Sequence, residues 1–378
     1  MTDASLSSAA LCGVRVLDFS TLLPGPLASL VLARAGADVL KIERPGAGDE
    51  MRSYASPFGA SSVDFALLNQ GKRSLALDLK SDAGRECALA LARDADVLIE
   101  QFRPGVMERL GLGPATLAEL NPRLVYCSLT GWGQSGPLAD TAAHDLNYQA
   151  ESGMLALSAG ADGAPGVPQA LVADIGGGAW PAVMNILLAL RARESHGRGV
   201  HLDVAMADNL FTFMYWGLGS GFVGGQWPRP GQELLTGGSP RYNVYRTKDG
   251  RWLAAAPLEQ KFWQNFLRVI EAPHLLDDKT DPQGTRAAVA AIVESRTADD
   301  WLQRFDGVDA CVSVVRTLDD ALQQPHFKAR GLLAGTLGDG RGAQIPALPV
   351  PVDKAMSSPA TGGYPALGEA AAAWLPRR

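Results

Sequence analysis

The sequence holds few of the features that mark a secreted, membrane-spanning or nucleic-acid-binding protein. Cys12, Cys87, Cys127 and Cys311 stand alone, with no CxxC pair and no zinc spacing. Neither a disulfide framework nor a metal site is expected from them, and lone cysteines in a chain of 378 residues fit a reducing compartment. The net charge of −6 argues against general nucleic-acid binding, although local basic clusters can still hold a phosphorylated small molecule. The opening stretch MTDASLSSAALCG has no basic region ahead of an apolar core, so no signal peptide is expected. The longest apolar run, near Ala179–Leu190, reads as too short and too interrupted to span a bilayer. The expectation is a soluble cytoplasmic protein with no membrane partner. No GxGxxG follows the first strand, which excludes an NAD fingerprint, and no internal repeat is visible.

What is present is ordinary globular material, 47% hydrophobic and 20% charged. At this length two domains are the default. Val14–Asp18 reads as a short apolar strand, followed by a turn with Pro24, Gly25 and Pro26 and a helix over Leu27–Ala35. Asp38–Ile42 is the next strand, which makes a βαβ unit and implies a parallel sheet. The pattern recurs in strand Arg73–Asp78, helix Asp82–Arg93, strand Val97–Glu100, helix Pro114–Leu120 and strand Leu124–Leu129. After an apolar helical run over Ala179–Ala192 and the turn HGRG comes strand Val200–Val204, then an apolar helical stretch around Asp208–Tyr215. Residues 217–240 are rich in Gly and Pro and read as a crossing linker with a mobile loop. Tyr242–Arg246 and Trp252–Ala256 flank Lys248-Asp249-Gly250, a hairpin signal. Helices follow at Glu259–Ile270 and through Arg286–Arg304, and Gly368–Trp374 reads as a last helix. The boundaries drawn are 1–204 with 333–378 for a large domain, 205–240 for linker and loop, 241–318 for a small α+β domain and 319–332 for a return linker.

Basic residues cluster near the strand ends, where open α/β sheets bind ligands. Arg44 follows the second strand, Lys72 and Arg73 open the third and Lys80 lies beyond it, and Arg103 and Arg109 follow the fourth. Any one of them is most simply surface charge, but together they suit a phosphate-bearing ligand, which the planar fork of Arg grips at two points.

Two proton-handling side chains bracket residues 140–178. His144 stands at one end, and Asp174 at the other, with Ile175 alone between it and Gly176, Gly177 and Gly178. A carboxylate just before a helix sits near free N–H groups and the positive end of the dipole. By position alone Asp174 is an ordinary N-cap. The glycines are read as leaving room for a ligand backbone or thioester.

Several stretches resemble the family III CoA transferases: GVRVLDFSTLLPGP, GADVLKIERPGAGD, NQGKRSLALDLKSDAGR, ADVLIEQFRPGVMERLGLG, LTGWGQSGP, RARESHGRG and PHFKARGLL. The likeness covers nearly the whole chain and is strongest to the racemase branch. It implies a Rossmann-like large domain plus a smaller α+β domain, joined by long linkers in an interlocked homodimer. It implies an acyl-CoA substrate, with coenzyme A entering as part of that substrate and no cofactor bound permanently. The family's catalytic aspartate falls on Asp174, the racemase histidine of a GHDINY-like motif on His144, and its supporting glutamate on Glu259 in LEQKFW. The positions that meet CoA fall on Arg44, on Leu77, Asp78, Leu79 and Lys80, on Gln101, Phe102 and Arg103, on Arg109, and around the histidine on Ala143, Asp145, Asn147 and Tyr148. The chain departs from the family pattern at Ala143, where glycine is usual, at Gln260, where proline usually follows the glutamate, and in DACVSVV at 309–315, which lacks a proline.

The chemistry suits these residue types. A thioester α-proton is weakly acidic, so its removal needs a positioned base and a stabilised enolate oxygen. Racemisation needs a second acid on the opposite face, and His144 and Asp174 fill the two roles. Backbone N–H groups near Asp145 can hold the enolate oxygen if a helix starts there, and Glu259 can orient His144. The alternative is a CoA transferase, in which Asp174 attacks the acyl-CoA carbonyl to form a mixed anhydride and a loop with Gly237 and Gly238 closes over it. That reaction needs no histidine. A third reading, a CoA-ester carrier without chemistry, leaves His144, Asp174 and Glu259 without a purpose.

Overall fold

A computed structural model describes residues 9–158, 163–358, 362–370 and 374. Six strands, β1 (Arg15–Asp18), β2 (Asp38–Glu43), β3 (Arg73–Ala76), β4 (Val97–Glu100), β5 (Val125–Thr130) and β6 (His201–Ala205), form one parallel sheet in the order β3-β2-β1-β4-β5-β6. Val16 pairs with Val39 on one side and Val97 on the other, and Leu17 with Leu40 and Leu98. All six are buried. Strands buried on both faces read as unbroken apolar runs rather than alternating ones, which is why these were visible in the sequence. The chain winds outward from β1 to β3, then returns to place β4 against the other side of β1. The strand order reverses there, and open α/β sheets bind ligands at that crevice, beyond the carboxyl ends of the strands.

Helices fill the crossovers: α1 (Pro24–Arg34), α2 (Asp82–Arg93), α3 (Pro114–Leu120), α4 (Asp145–Glu151) and α5 (Trp180–His196). Helix α1 begins at Pro24, three residues ahead of the expected start, because Pro is at home in a first turn where no N–H is required. Leu91 and Ala92 of α2 and Leu117 of α3 join Leu17, Leu40, Leu98 and Tyr126 in one core cluster. A π-helical turn over Ala173–Ala179 runs directly into α5. Together they make a 24-residue helix, Ala173–His196, long and apolar enough to cross a membrane by length and composition, with 44% of its apolar window buried inside the protein. The expectation of a short, interrupted run was therefore too low, because the glycines continue the helix instead of breaking it.

The strand-end lysine of the sequence reading is not a ligand group. Lys72 is fully buried, its Nζ 3.3 Å from Asp18 Oδ2 and bonded to Asn69 Oδ1 at 2.8 Å. Lys41 is buried beside it, pairing with Asp49 Oδ2 at 2.9 Å and donating to the Ser20 carbonyl at 2.7 Å. Burial pushes the Asp18 carboxyl up, but Lys72, Lys41 and the Ser20 and Ser29 hydroxyls outweigh it and hold it at about 2. Arg73 pairs with Asp38 on the surface.

The chain divides into two compact units: residues 1–152, 170–213 and 329–378, and residues 153–169 with 214–328. The second unit holds an antiparallel sheet of β7 (Asn243–Arg246), β8 (Trp252–Ala255) and β9 (Val312–Val314), in the order β9-β8-β7. The β7–β8 pair is the expected hairpin. Helices α6 (Tyr215–Gly224), α7 (Gln260–Val269), α8 (Pro282–Glu294) and α9 (Ala298–Phe305) belong to the same unit, and its core stacks Trp263 on Phe266 and Phe266 on Phe305. Helix α6 lies where the sequence reads as linker. Its glycines are there for contact: a Cβ on Gly221 would sit 2.4 Å from the Trp227 ring, and one on Gly217 2.8 Å from Pro228. Residues 368–370 form a turn and 371–373 lie outside the described residues, so the helix expected over Gly368–Trp374 is not described.

Candidate active site

A cavity of about 400 Å³ opens at the carboxyl ends of β1, β4, β5 and β6 in the first unit. Its wall is made by Leu22–Pro24 after β1, Gln101–Pro104 after β4, Leu129–Trp132 at the end of β5, Ala143, His144, Asn147 and Tyr148 around the start of α4, Asp174, and Met206 after β6.

His144 is the residue before α4, in extended backbone (φ −130°, ψ 177°), and its N–H donates to Asn147 Oδ1 at 3.1 Å. That reciprocal bond anchors the helix start while leaving the imidazole exposed at the cavity. Tyr148, one turn on, is buried. Its hydroxyl donates to the Ala143 carbonyl at 2.9 Å, and its ring meets Trp132 edge-on at 5.0 Å. Gly131 is obligatory beside it, since a Cβ there would lie 2.3 Å from the ring.

Asp174 faces the same cavity from the first turn of the π segment. It does not cap a helix from outside. Its backbone N–H donates to Asp145 Oδ1 at 2.9 Å, and Asp145 Oδ2 accepts from Gln149 Nε2 at 2.6 Å. Asp145 is buried, so its side chain is engaged within the fold rather than free for a ligand. Burial first, then the Asp145 charge, push the Asp174 carboxyl up to about 6, with His144 pulling it the other way. Burial, Asp174 and Asp145 likewise push the Tyr148 phenol up to about 12. Asp174 therefore holds a proton more readily than an ordinary carboxyl and can both take and give one near neutral pH.

The glycines after Asp174 serve packing more than ligand access. A Cβ on Gly177 would lie 2.4 Å from the Met206 carbonyl, and one on Gly178 2.9 Å from the Met206 side chain. The Gly177 carbonyl accepts from Asn209 Nδ2 at 2.8 Å, which ties the π segment to the turn after β6.

Of the residues singled out from the sequence, Gln101, Phe102, Arg103, Ala143, His144, Asn147, Tyr148 and Asp174 come together around the cavity. Others stand outside its lining. Arg44 is exposed, bonding the Gly48 carbonyl at 2.9 Å and pairing loosely with Glu50. Leu77 and Leu79 pack against the core cluster, and Asp78 shapes the turn by accepting the Lys80 N–H at 3.0 Å. Lys80 and Arg109 are exposed. Glu259 belongs to the second unit, exposed just before α7. The sequence reading missed Leu22, Trp132, Thr141 and Met206 as lining. Leu22 takes φ +62°, a left-handed conformation costly for a side chain of its size, with its N–H directed at Asp49 Oδ1, 3.3 Å away. Nothing local announces that conformation.

The family described as CoA-transferase family III matches residues 11–371. The chain is 36% identical to an alpha-methylacyl-CoA racemase of Mus musculus over 368 residues, covering 94% of this chain and 90% of that protein. It is 33% identical to an acetyl-CoA:oxalate CoA-transferase of Acetobacter aceti over 371 residues, covering 96% and 94%. Among solved structures, a CAIB/BAIF family protein from Brucella suis superimposes with a TM-score of 0.83 at 28% identity, over 97% of this chain and 98% of that one.

Proposed function

Because the chain belongs to CoA-transferase family III, we propose that it racemises 2-methylacyl-CoA thioesters by removing the α-proton and returning it through an enolate. The observation that carries this reading is that His144 and Asp174 line one cavity at the switch point of the sheet. One removes the α-proton as the other supplies a proton to the opposite face, and the roles exchange in the reverse direction. The raised pKa of Asp174 suits a group that must be acid in one direction and base in the other. Backbone N–H groups at the start of α4 hold the enolate oxygen. Coenzyme A enters as part of the substrate, gripped along Gln101–Arg103 with Arg44, Lys80 and Arg109 near its phosphates, and no cofactor stays bound. The protein works in the cytoplasm as an interlocked homodimer. Exposed Met184 and Leu188 on α5, and Tyr215, Phe222 and Val223 on α6, support burial in such a contact.

The experiment incubates the protein with one enantiomer of a 2-methylacyl-CoA in deuterated water. Deuterium uptake with loss of configuration is expected, and His144→Ala should lose about 10²–10⁴-fold in inversion. The transferase relative and the cavity-facing carboxylate of Asp174 favour a second reading, CoA transfer through an acyl-aspartyl anhydride. Acyl exchange onto free carboxylates, a hydroxylamine-trapped adduct at Asp174 and a near-normal His144→Ala enzyme would establish that reading and remove the first.

A further inference from the structure

Glu100, the last residue of β4, is buried with 4% of its surface exposed. Its Oε2 accepts the backbone N–H of Phe102 at 2.9 Å. Ser128 is the register partner of Glu100 on β5, where its hydroxyl pulls the Glu100 pKa down, and Ser128 Oγ lies 2.9 Å from Nε2 of His201. A row of polar groups thus runs from an exposed histidine on β6, through Ser128 on β5, to Glu100 and the backbone of the arm 101–103. That arm lines the cavity, and the Gln101 side chain fixes it to the opposite wall by accepting the Gly25 N–H at 3.1 Å.

The ionisable groups around Glu100 are Glu108 from the turn after β4, Tyr126 and Cys127 from β5, and His201 and Asp203 from β6. Among the described residues no Lys or Arg forms an ion pair with Glu100. A buried carboxylate among carboxylates and without a cation is a poor structural anchor. Its placement needs a reason in what it holds, and what it holds is the arm.

We infer that Glu100 is a positioning residue for acyl-CoA: its ionised carboxylate sets the Gln101–Arg103 arm, so the grip on CoA tightens as Glu100 loses its proton. The placing of CoA on that arm rests on the proposed function. When ionised, the carboxylate accepts from both Phe102 N–H and Ser128, and charge-assisted bonds are the stronger kind. When a solvent proton reaches it, the new O–H donates to Ser128, whose own hydroxyl proton turns toward Nε2 of a neutral His201. Phe102 N–H is then left with a weaker, uncharged acceptor. Burial holds the His201 ring below its usual pKa, against Asp203 and Glu108, which keeps it neutral for this exchange. Burial, with smaller contributions from Glu108 and Asp203, lifts Glu100 to about 7 against the bonds from Ser128 and Phe102, so the switch falls in the working range.

The test measures the dissociation constant of CoA by calorimetry on the full-length protein from about pH 6 to about pH 8.5, with Glu100→Gln beside the wild type. The amide keeps the shape and cannot ionise. Titration of CoA's own phosphate is common to both proteins and cancels in the ratio of their constants. That ratio should be near one at low pH and rise to about fivefold at high pH, with the loss falling on KM rather than kcat during turnover. A merely structural role would give a ratio independent of pH, and that result would overturn the inference while leaving CoA binding intact. Ser128→Ala supplies a second reading: removal of a bond to the ionised form should move the midpoint of the wild-type pH dependence to higher pH, and an unmoved midpoint would also overturn it. Failure of the wild type to bind CoA at any pH would instead overturn the proposed function.

Discussion

The backbone N–H of Asp174 donates to Oδ1 of Asp145 across 2.9 Å, which ties the half-buried Asp174 to a buried carboxyl. The bond fixes where Asp174 begins its helical turn. The charge of Asp145 also acts on the Asp174 carboxyl and, after burial, is the other influence that raises its pKa. A residue that the family resemblance assigns to CoA contact therefore acts on the proposed acid–base group itself.

Asp145→Asn should separate these effects, because the amide oxygen can still accept the Asp174 N–H while the negative charge is gone. The Asp174 pKa should fall from about 6 by about one unit. In the direction where Asp174 removes the proton, the rising limb of the pH–rate profile should move to lower pH by that amount. A limb that stays in place would remove Asp145 from the tuning of the site.

Burial of Asp174 has a cost in stability with a definite sign. Its folded pKa is raised, so the fold favours the protonated form. That contribution is complete below the ordinary carboxylate range and is lost as pH rises through about 6. Asp174→Asn removes the penalty on the charged form. Allowing for partial exposure of the group, the variant should be about 1–2 kcal/mol more stable than the wild type at pH 8 and nearly equal to it at pH 4. Denaturant titrations at the two pH values measure this, and equal stability at pH 8 would contradict the burial argument.

The pair Lys72–Asp18 has the opposite sign. The depressed pKa of Asp18 means that its contribution is present above the ordinary carboxylate range and is lost as pH falls through about 2. Lys72→Met leaves a buried carboxylate with Lys41 as its remaining cationic influence, and breaking a buried pair in this way typically costs about 3–5 kcal/mol. Lower thermal stability at neutral pH is expected, with the gap to wild type narrowing in acid. A variant as stable as wild type at pH 7 would show that the pair contributes nothing net.

Local signals in the chain sufficed for most of the first unit. The doubly buried strands are continuous apolar runs, and α2 and α3 match their expected bounds. The neighbourhood of His144 was legible because a helix start is a local event. What was hidden depends on distant partners. Lys72 looks like a strand-end cation until Asp18, 54 positions earlier, is folded against it. The glycines of α6 suppress a helical signal, and only the packing of Trp227 and Pro228 explains them. Leu22 takes its left-handed backbone beside Asp49, 27 positions away. The same limit applied to the run Gly176–Gly178, which propensity alone reads as an opening for a ligand.

That run yields a prediction in which two neighbouring substitutions should differ. In a helix interior, Gly→Ala ordinarily gains about 1 kcal/mol. At Gly176 the new methyl would meet Phe213 Cζ at 2.7 Å, the far end of a side chain that is 47% exposed and free to swing outward. Gly176→Ala should therefore be close to neutral. At Gly177 the methyl would meet the Met206 carbonyl at 2.4 Å, which is backbone, and Leu210 Cδ2 at 3.4 Å. Neither the π turn nor the segment at Met206–Asn209 can yield without moving the other, and the Asn209 bond to the Gly177 carbonyl ties them. Overpacking of this kind costs about 1–3 kcal/mol, which outweighs the propensity gain. The displacement would also be carried three residues back to Asp174, where a misplacement of about 1 Å is worth about 10²-fold in rate. Gly177→Ala should lower both the melting temperature and kcat, while Gly176→Ala should leave the melting temperature nearly unchanged. Equal thermal shifts in the two variants would mean that the π turn is not wedged against Met206.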